Sequence, residues 1–390
     1  MSKHALLSPS SAHRWLVCPP SARLEAQYPD SAGESAREGT FAHRLAELTL
    51  QRYLKTIGDM KYQQEVKALK SGNTKLGNYY TRDMDDYVGE YVNLVIQKYE
   101  AAKEKDPEAA LLLEQSLDFS DWVPDGFGRG DAIVIADGIL EIIDLKYGRN
   151  TPVSAINNPQ IRLYGLGAYN AFGAIYDIDA VRLTIMQPRN GGESSELLSV
   201  GGLLDWALSI KPIAKQAYEG KGTLKPGPHC QFCRAAVRCK VLAAHQLELA
   251  RYDFKDADQL TDAEVADVLS RADSLVTWAN KIKSYALAQA VDNNVHWPGW
   301  KLVEGRSVRK ISEPEQAALV LTAQYGHSED DVYKPRELKT ITQLERAIGK
   351  QTLADELAGL LIKPPGKPTL VPESDKRPEW NSAQNDFKAI

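Results

Sequence analysis

Apolar positions in the first hundred residues recur with the period of an α-helix. A short helix is predicted over residues 9–18, where a Pro-Pro pair ends it, and a longer one over 39–54, whose apolar side chains form one stripe. Residues 82–104 give a further amphipathic helix. The stretch 55–80 is polar, and we expect it to be a mobile connection.

The periodicity then changes to that of short strands. The predicted strands cover 110–119, 131–136, 139–146 and 181–187, with a turn-rich segment at 121–130 and a helix at 159–172. Asp137-Gly138, between the second and third strands, is a strong hairpin signal. The order α-β-β-β-α-β predicts an α/β fold in which helices pack on a mixed central sheet. Farther along, residues 259–292 are predicted to be helical, and the proline- and charge-rich tail from about residue 363 is predicted to be extended.

Length, charge and hydropathy narrow the class of protein. A chain of 390 residues exceeds what one core usually fills, so we expect a main domain over 1–249 and a mostly helical region over 250–390. A net charge of −5 argues against a protein that coats nucleic acid by bulk charge, so any DNA contact must come from local basic patches. We find no signal-peptide core and no apolar run of about 18 residues, and therefore expect a cytoplasmic protein without a membrane partner.

Two aspartates and a lysine converge on the predicted hairpin. Because side chains alternate faces along a strand, Asp144 and Lys146 should point one way and Glu141 the other, with Asp131 on the neighbouring strand. Hydrolysis of a phosphodiester needs carboxylates to hold a hard divalent ion and a cation to stabilise the charge that develops on phosphate. A D-x-K pair is common by itself, and a salt-bridged surface hairpin is the alternative interpretation.

The segment GRGDAIVIADGILEIIDLKYG resembles the core of the PD-(D/E)XK nucleases, and in particular their RecB-like exonuclease branch. The resemblance implies a restriction-endonuclease-like αβββαβ core. It also implies that Asp131 and Asp144 are the acidic residues that hold Mg²⁺ or Mn²⁺, and that Lys146 is the lysine that helps to activate the attacking water. Many members of this family carry Glu where this chain has Asp144.

Two flanking motifs of the same branch are present. GTFAH, which ends in His43, matches an upstream G-x-x-x-H pattern and implies a further metal ligand, and Glu47, one helical turn on, is a candidate to orient it. QIRLY matches a downstream Q-x-x-x-Y pattern, in which Gln160 and Tyr164 would contact a phosphate or the attacking water. Glu114, on the first strand, is a candidate outer carboxylate. Each of these residues alone would be interpreted as a packing or surface side chain.

The four cysteines suggest a metal centre. Cys18 stands alone, while Cys230, Cys233 and Cys239 form a C-x2-C-x5-C cluster. In a reducing compartment this spacing indicates ligation of an iron–sulfur cluster or of Zn²⁺, and it leaves both open. The pattern also resembles the RecB-like nucleases whose domain ends are joined by a four-cysteine [4Fe–4S] cluster, which favours the cluster over zinc.

A basic and aromatic stretch near residue 300 is a candidate DNA-binding segment. Its members are Trp300, Lys301, Arg306 and Arg309. Cations beside aromatic rings suit a single strand of DNA through phosphate neutralisation and base stacking. A surface hairpin with solvated charges explains the composition equally well.

The sequence is similar to stand-alone nucleases of phages and prophages, and the resemblance covers roughly residues 5–245. It implies a DNA exonuclease that acts on ends or single strands during phage recombination or DNA processing in a bacterial host cell. A single-strand-binding or recombination protein of the phage is the partner that this implies. The alternatives are a catalytically silent DNA-binding or assembly protein on a nuclease fold, and a structure-directed endonuclease.

Overall fold

The structure is a computed structural model that describes residues 5–29, 34–71, 77–136, 138–149, 151–248, 260–303, 314–324, 328, 341, 344, 349–357 and 360. The chain divides into two compact units, Met1–Asn280 and Lys281–Ile390. The boundary expected between residues 249 and 250 lies outside the described residues and stays a prediction. None of the described helices is both long and apolar enough to span a membrane.

The described residues include eleven α-helices, numbered here in chain order. They are α1 Ala12–Trp15, α2 Ser21–Glu25, α3 Glu34–Tyr53, α4 Asp59–Lys70, α5 Arg82–Lys105, α6 Pro159–Phe172, α7 Val200–Glu219, α8 Lys240–Leu247, α9 Asp262–Asp292, α10 Pro314–Leu319 and α11 Lys350–Glu356. Short 3₁₀ segments occur at Pro9–Ser11, Gly77–Tyr79, Pro228–Phe232 and Arg234–Arg238, and a π-helical turn at Val320–Gln324.

One five-stranded mixed sheet lies at the centre of the first unit. Its strands are β1 Ala110–Asp118, β2 Phe127–Ala136, β3 Ile139–Leu145, β4 Ala180–Gln187 and β5 Gly192–Ser199, in the spatial order β1-β2-β3-β4-β5. Neighbours are antiparallel except β3 and β4, which run parallel and are joined through α6. The predicted α/β class, the mixed sheet and the α-β-β-β-α-β order are confirmed.

The sheet has an apolar layer on each face. On one face α3 and α5 contribute Phe41 and Tyr91, which belong to the same cluster as Val134 and Leu145 of the sheet. On the other face α6 and α7 cover a second cluster that includes Ile133. β3 is buried along most of its length because helices cover both sides of it, which explains its continuous apolar run.

The structure corrects two sequence predictions. The expected connection over 55–80 contains helix α4, whose single buried residue, Leu69, gave too little apolar periodicity to predict it. The turn expected over 121–130 is strand from Phe127 onward, since β2 begins there. Its Gly128 is needed because a Cβ at that position would lie 2.7 Å from Cε1 of Tyr164 on α6.

Several elements had no sequence prediction, among them β5 and α7. β5 is an edge strand whose burial alternates between half-buried and exposed, so it has no apolar run to detect. It is tied to α6 by the ion pair between Glu196 and Arg162, with 2.6 Å between Oε1 and Nη2. In the C-terminal part, α9 confirms the predicted helix, and the predicted extended tail lies outside the described residues.

Candidate active site

Three carboxylates occupy one row across three strands. The register places Glu114 of β1 opposite Asp131 of β2, and Asp131 opposite Asp144 of β3. At these positions the backbone ladder is interrupted between β1 and β2 and has ended between β2 and β3. Residues directly opposite each other on neighbouring strands project from the same face, so the register brings the three carboxylates to one face at one end of the hairpin.

Asp131 connects the sheet to α3. Its Oδ1 lies 3.1 Å from Nδ1 of His43, and its Oδ2 accepts a hydrogen bond of 2.8 Å from the backbone N–H of Leu145. Burial opposes ionisation of Asp131, but the His43 ring outweighs it and lowers the pKa of the carboxyl below its ordinary value. Burial likewise opposes protonation of His43, yet the charge and hydrogen bond of Asp131 raise its pKa to about 9.

Asp144 and Lys146 form the second part of the site. Oδ2 of Asp144 lies 2.7 Å from Nζ of Lys146, and among the described residues this buried oxygen has no other partner. Burial raises the pKa of Asp144 above its ordinary value, and the nearby ammonium only partly offsets this. The two side chains lie together as the alternation on β3 predicts. Glu141 is on the opposite face, where its Oε1 is 2.9 Å from Nζ of Lys98 on α5.

Gln160 and Tyr164 share one face of α6, as the sequence predicts. Their side chains are hydrogen-bonded, with 3.3 Å between Nε2 of Gln160 and the hydroxyl of Tyr164. Burial raises the pKa of Tyr164, and the Asp144 carboxylate adds to the effect, which shows that this phenol lies in the electrostatic field of the site. The hydroxyl is therefore a neutral hydrogen-bond donor near the carboxylate row.

The backbone of Glu114, the first carboxylate of the row, has an unusual conformation. Its φ of 51° is in the left-handed region, in the interior of a strand. Burial, followed by repulsion from Asp131 and Glu47, raises the pKa of Glu114 to about 7. Its Oε2 lies 3.6 Å from Nη1 of Arg129, a residue that the sequence did not single out.

Glu47, the candidate to orient His43, has hydrogen-bond partners on its own helix, and its role toward His43 stays a prediction. Its two carboxylate oxygens accept hydrogen bonds from Arg44, at 2.7 Å, and from Gln51, at 2.9 Å. These partners are three residues before and four after it on α3, close enough to compete with a ring that faces Asp131. Glu47 acts on the site through its charge, which contributes to the raised pKa of Glu114.

Tyr91 is a site neighbour that the sequence did not reveal. Its buried hydroxyl donates a hydrogen bond of 3.1 Å to the carbonyl of Ile143, one residue before Asp144. Burial raises the pKa of Tyr91 well above its ordinary value, and Asp131 and Asp144 are the next largest causes. In sequence Tyr91 is one more member of the apolar stripe of α5, and no pattern distinguishes it.

The two cysteine-bearing segments lie against each other. The Arg234 N–H donates to Oε1 of Glu25 at 2.9 Å, and the rings of His13 and Phe232 meet edge to face at 5.9 Å. α2 thus packs beside the 3₁₀ turn Arg234–Arg238 that separates the last two cysteines.

None of the four cysteines is part of a disulfide. The backbone N–H of Lys225 points to Sγ of Cys18, and that of Leu242 to Sγ of Cys239, each at 3.5 Å. Burial, with a contribution from the Glu25 carboxylate, raises the pKa of the Cys233 thiol to about 12. A thiol of this kind becomes a ligand only when a bound cation compensates its negative charge.

The residues of the candidate site meet some, but not all, of the requirements of a divalent-ion site. Within the residues that the structure describes, no three His, Cys, Asp or Glu side chains are gathered in an arrangement ready to hold a metal. Asp131 and Asp144 supply oxygen atoms of the kind Mg²⁺ and Mn²⁺ prefer, and one of these oxygens is otherwise partnered only by Lys146. His43 is protonated next to Asp131 and fits as a ligand only after it loses that proton.

The candidate DNA-binding stretch is described only in part. Trp300 is 77% exposed and Lys301 is exposed, whereas Arg306 and Arg309 lie outside the described residues. The neighbouring Trp297 donates a hydrogen bond of 2.9 Å from Nε1 to the carbonyl of Ala286, so its indole N–H is already engaged within the chain.

Comparison with known proteins gives distant structural similarities, two of which are described here, and one family. A candidate exonuclease from Eubacterium rectale is 9% identical, with a TM-score of 0.32 over 66% of this chain and 92% of that one. The protein SSO0001 is 14% identical, with a TM-score of 0.23 over 50% of this chain and 94% of that one. Both similarities are too low to bear on function. The model of the family described as "Protein of unknown function (DUF2800)" matches residues 4–378, nearly the full length, and the chain belongs to this family.

Proposed function

We propose that this protein is a metal-dependent nuclease that hydrolyses phosphodiester bonds in DNA. The observation that carries the proposal is the pair Asp131 and Asp144 on neighbouring strands, flanked by the Lys146 ammonium and the His43 ring. A buried and a half-buried carboxylate beside a lysine suit a hard divalent ion next to a phosphate group. The resemblance of the same residues to the PD-(D/E)XK core, in its RecB-like branch, supports this chemistry.

Each residue has a separate task in the proposed reaction. Asp131 and Asp144 would hold Mg²⁺ or Mn²⁺, and His43 would join them after losing its proton. When bound, such an ion polarises the phosphate and lowers the pKa of water. Lys146 stabilises the negative charge that develops on phosphorus-bound oxygen, and its ion pair with Asp144 keeps the ammonium in place.

The polar groups of α6 complete the proposed site. Gln160 and Tyr164 offer an amide and a neutral hydroxyl from one helix face, and both groups can donate hydrogen bonds to a phosphate oxygen. Gly128 keeps the Tyr164 ring close to β2, because any larger residue would displace it. The tyrosine therefore serves orientation, while proton transfer is left to groups with less elevated pKa values.

We also propose that Cys18, Cys230, Cys233 and Cys239 bind a [4Fe–4S] cluster, with Zn²⁺ as the competing occupant. The support is the set of four cysteines outside disulfides on two segments that pack together, and the backbone N–H groups directed at two of the sulfur atoms. Hydrogen bonds of this kind stabilise thiolate ligands. The cluster would join the beginning of the nuclease domain to its end.

The proposed substrate is DNA with a free end or a single-stranded region, and the proposed setting is recombination or processing of phage DNA. The support is the resemblance to RecB-like exonucleases of phage type. A phage single-strand-binding or recombination protein is the partner that this setting implies.

The deciding experiment is degradation of end-labelled DNA with Mg²⁺, with Mn²⁺ and with EDTA. Linear and circular DNA, single- and double-stranded, should be compared in each condition. We expect cleavage only with a divalent ion. DNA binding without cleavage under every condition would identify a catalytically silent DNA-binding protein instead.

A further inference from the structure

An exposed arginine borders the row of carboxylates. Arg129 and Asp131 are two residues apart on β2, so they project from the same face at a separation of about 7 Å along the strand. The Arg129 side chain is 69% exposed, whereas that of Glu114 beside it is only 21% exposed. The guanidinium is therefore presented to solvent at the border of the candidate active site.

Glu114 is the partner of this guanidinium. In the part of the chain that the structure describes, Arg129 has no other side-chain partner, and the distance from Nη1 to Oε2 is 3.6 Å. An exposed ion pair of this length contributes little to stability. A guanidinium has five N–H donors, so most of those of Arg129 remain available to a second acceptor.

The backbone of Glu114 indicates that this pair has a function. A glutamate with φ of 51° inside a strand is in an unfavourable conformation, and the ladder between β1 and β2 is interrupted there. Such strain persists where the surrounding structure enforces it, most often at functional sites. At Glu114 it accompanies a carboxylate that lies between Arg129 and Asp131.

We propose that Arg129 binds the phosphate next to the one that is cleaved, and that Glu114 is the residue that positions it. The inference rests on the proposed nuclease function. The planar guanidinium matches two oxygens of a phosphodiester, which a lysine at this position would not. With Lys146 serving the cleaved phosphate, a cation two residues before Asp131 is placed to meet the neighbouring phosphate of an extended strand.

The first test measures binding without cleavage. Arg129→Ala should raise the Kd for a single-stranded oligonucleotide in EDTA about tenfold, because one charge-assisted contact is lost. The slope of log K against log salt should fall by about 0.7, which corresponds to one phosphate contact on a single strand. Arg129→Lys should restore the slope but not the full affinity.

A matched control is available on α3. Arg52 is also an exposed guanidinium, 49% accessible, with a carboxylate partner in Asp59 at 2.7 Å. It lies nine residues from His43, about 13 Å along the helix. Arg52→Ala removes the same charge and should leave the Kd within about twofold of wild type and the salt slope unchanged.

A modified substrate identifies which phosphate Arg129 contacts. A neutral methylphosphonate placed in turn at each position around the cleavage site should weaken binding by the wild-type protein at the position beside the cleaved bond. The same modification should have no additional effect on Arg129→Ala, since the contact is already absent. Under Mg²⁺, Arg129→Ala should raise KM about tenfold with kcat within about twofold.

The Glu114→Gln variant tests whether Glu114 acts by positioning Arg129 rather than by contacting DNA itself. It should weaken binding less than Arg129→Ala, and the double variant should be no worse than Arg129→Ala alone. Equal thermal unfolding of all variants would show that the effects are not losses of fold.

The inference about Arg129 and the proposed nuclease function would be contradicted by different results. If the wild type cuts DNA and Arg129→Ala leaves the salt slope and the methylphosphonate profile unchanged, or if the wild type binds no oligonucleotide, the inference about Arg129 is wrong. Binding that depends on Arg129 in a protein that cuts no DNA would refute the nuclease function instead.

Discussion

The His43 ring on α3 and the Asp131 carboxylate on β2 are joined by a contact of 3.1 Å between Nδ1 and Oδ1. These residues are 88 positions apart in sequence, and α5 and β1 lie between them in the chain. The contact fixes α3 against the end of the hairpin, and it neutralises one buried carboxylate while Lys146 neutralises the other. Asp131 and Asp144 are thus each paired with a cation, and a bound divalent ion would compete with His43 and Lys146 for their oxygens.

Replacement of Asp144 by Asn or of Lys146 by Ala should abolish cleavage. Each change removes one group from the buried pair that serves the metal and the phosphate. Cleavage should fall by at least about 100-fold, the size typical of losing a group that stabilises the transition state. The measurement is the initial rate on labelled DNA with Mg²⁺.

Two exposed residues of α7 provide controls for this experiment. Asp205→Asn and Lys215→Ala make the same chemical changes far from the carboxylate row in sequence and should retain full activity. Both site variants should still bind DNA. Rates within a few-fold of wild type for both Asp144→Asn and Lys146→Ala would contradict the assignment of the site.

The pH dependence of stability should report the His43 ion pair in metal-free protein. The pKa of His43 in the folded state, about 9, is above its ordinary value of 6.5, so protonation favours folding. This contribution is fully present below pH 6.5 and is lost as the pH rises to about 9. In EDTA, the Tm of the wild type should fall across this window by more than the Tm of His43→Gln does.

A parallel fall in both proteins would show that the ion pair with Asp131 does not set the protonation of His43. Repeating the thermal melts with Mn²⁺ tests the same site with a bound metal ion. A bound divalent ion favours neutral His43, so metal affinity should increase with pH over the same window.

Gly128→Ala tests how closely β2 and α6 must approach. The added Cβ would lie 2.7 Å from Cε1 of Tyr164 and 3.0 Å from Cγ of Pro9. We expect a loss of about 1–3 kcal/mol in the free energy of unfolding and a lower kcat as the tyrosine moves. Gly201→Ala is the control, because a Cβ there would meet nothing within 4 Å. An unchanged kcat with normal stability would mean that the position of Tyr164 is unimportant.

Protein purified without oxygen should be brown and contain about four iron atoms per chain. Replacing Cys18, Cys230, Cys233 or Cys239 singly by Ser should remove the colour and lower the Tm, and all four variants should behave alike. Absorption spectra and elemental analysis give the readout. Colourless protein with one zinc per chain would replace the cluster with a zinc site.

The sequence predicts the centre of this fold better than its edges. β3 and α6 were correct to within one residue because apolar period and hairpin chemistry are local signals. α4 and β5 were missed because each buries too few apolar side chains to produce a periodic pattern. The residues of the candidate site also divide into those with a local sequence signal and those without one. Asp144 and Lys146 are two residues apart at the end of one strand and can be found by alternation, whereas Tyr91 on α5 is brought to the site only by folding.

Cleavage should require a DNA end. The prediction follows from the proposed RecB-like exonuclease function, and the connections around the site are consistent with it. β2 and β3 are separated by two residues, and the segments on either side of α6 span 146–158 and 173–179. None of these is long enough to be a separate base-reading element, so the strand should be held through its backbone.

The measurement compares linear DNA with covalently closed and nicked circles of the same sequence, single- and double-stranded, at equal Mg²⁺. We expect linear DNA to be degraded at least about tenfold faster than closed circles. Added salt should slow the reaction steeply, because each phosphate contact releases counterions. Linearising the same closed circle with a restriction enzyme supplies the matched control, since only the presence of ends changes. If closed circles, including single-stranded ones, are cut as fast as linear DNA, the enzyme is a structure-directed endonuclease, and contacts such as that of Arg129 would then have to serve an internal phosphate rather than one near a terminus.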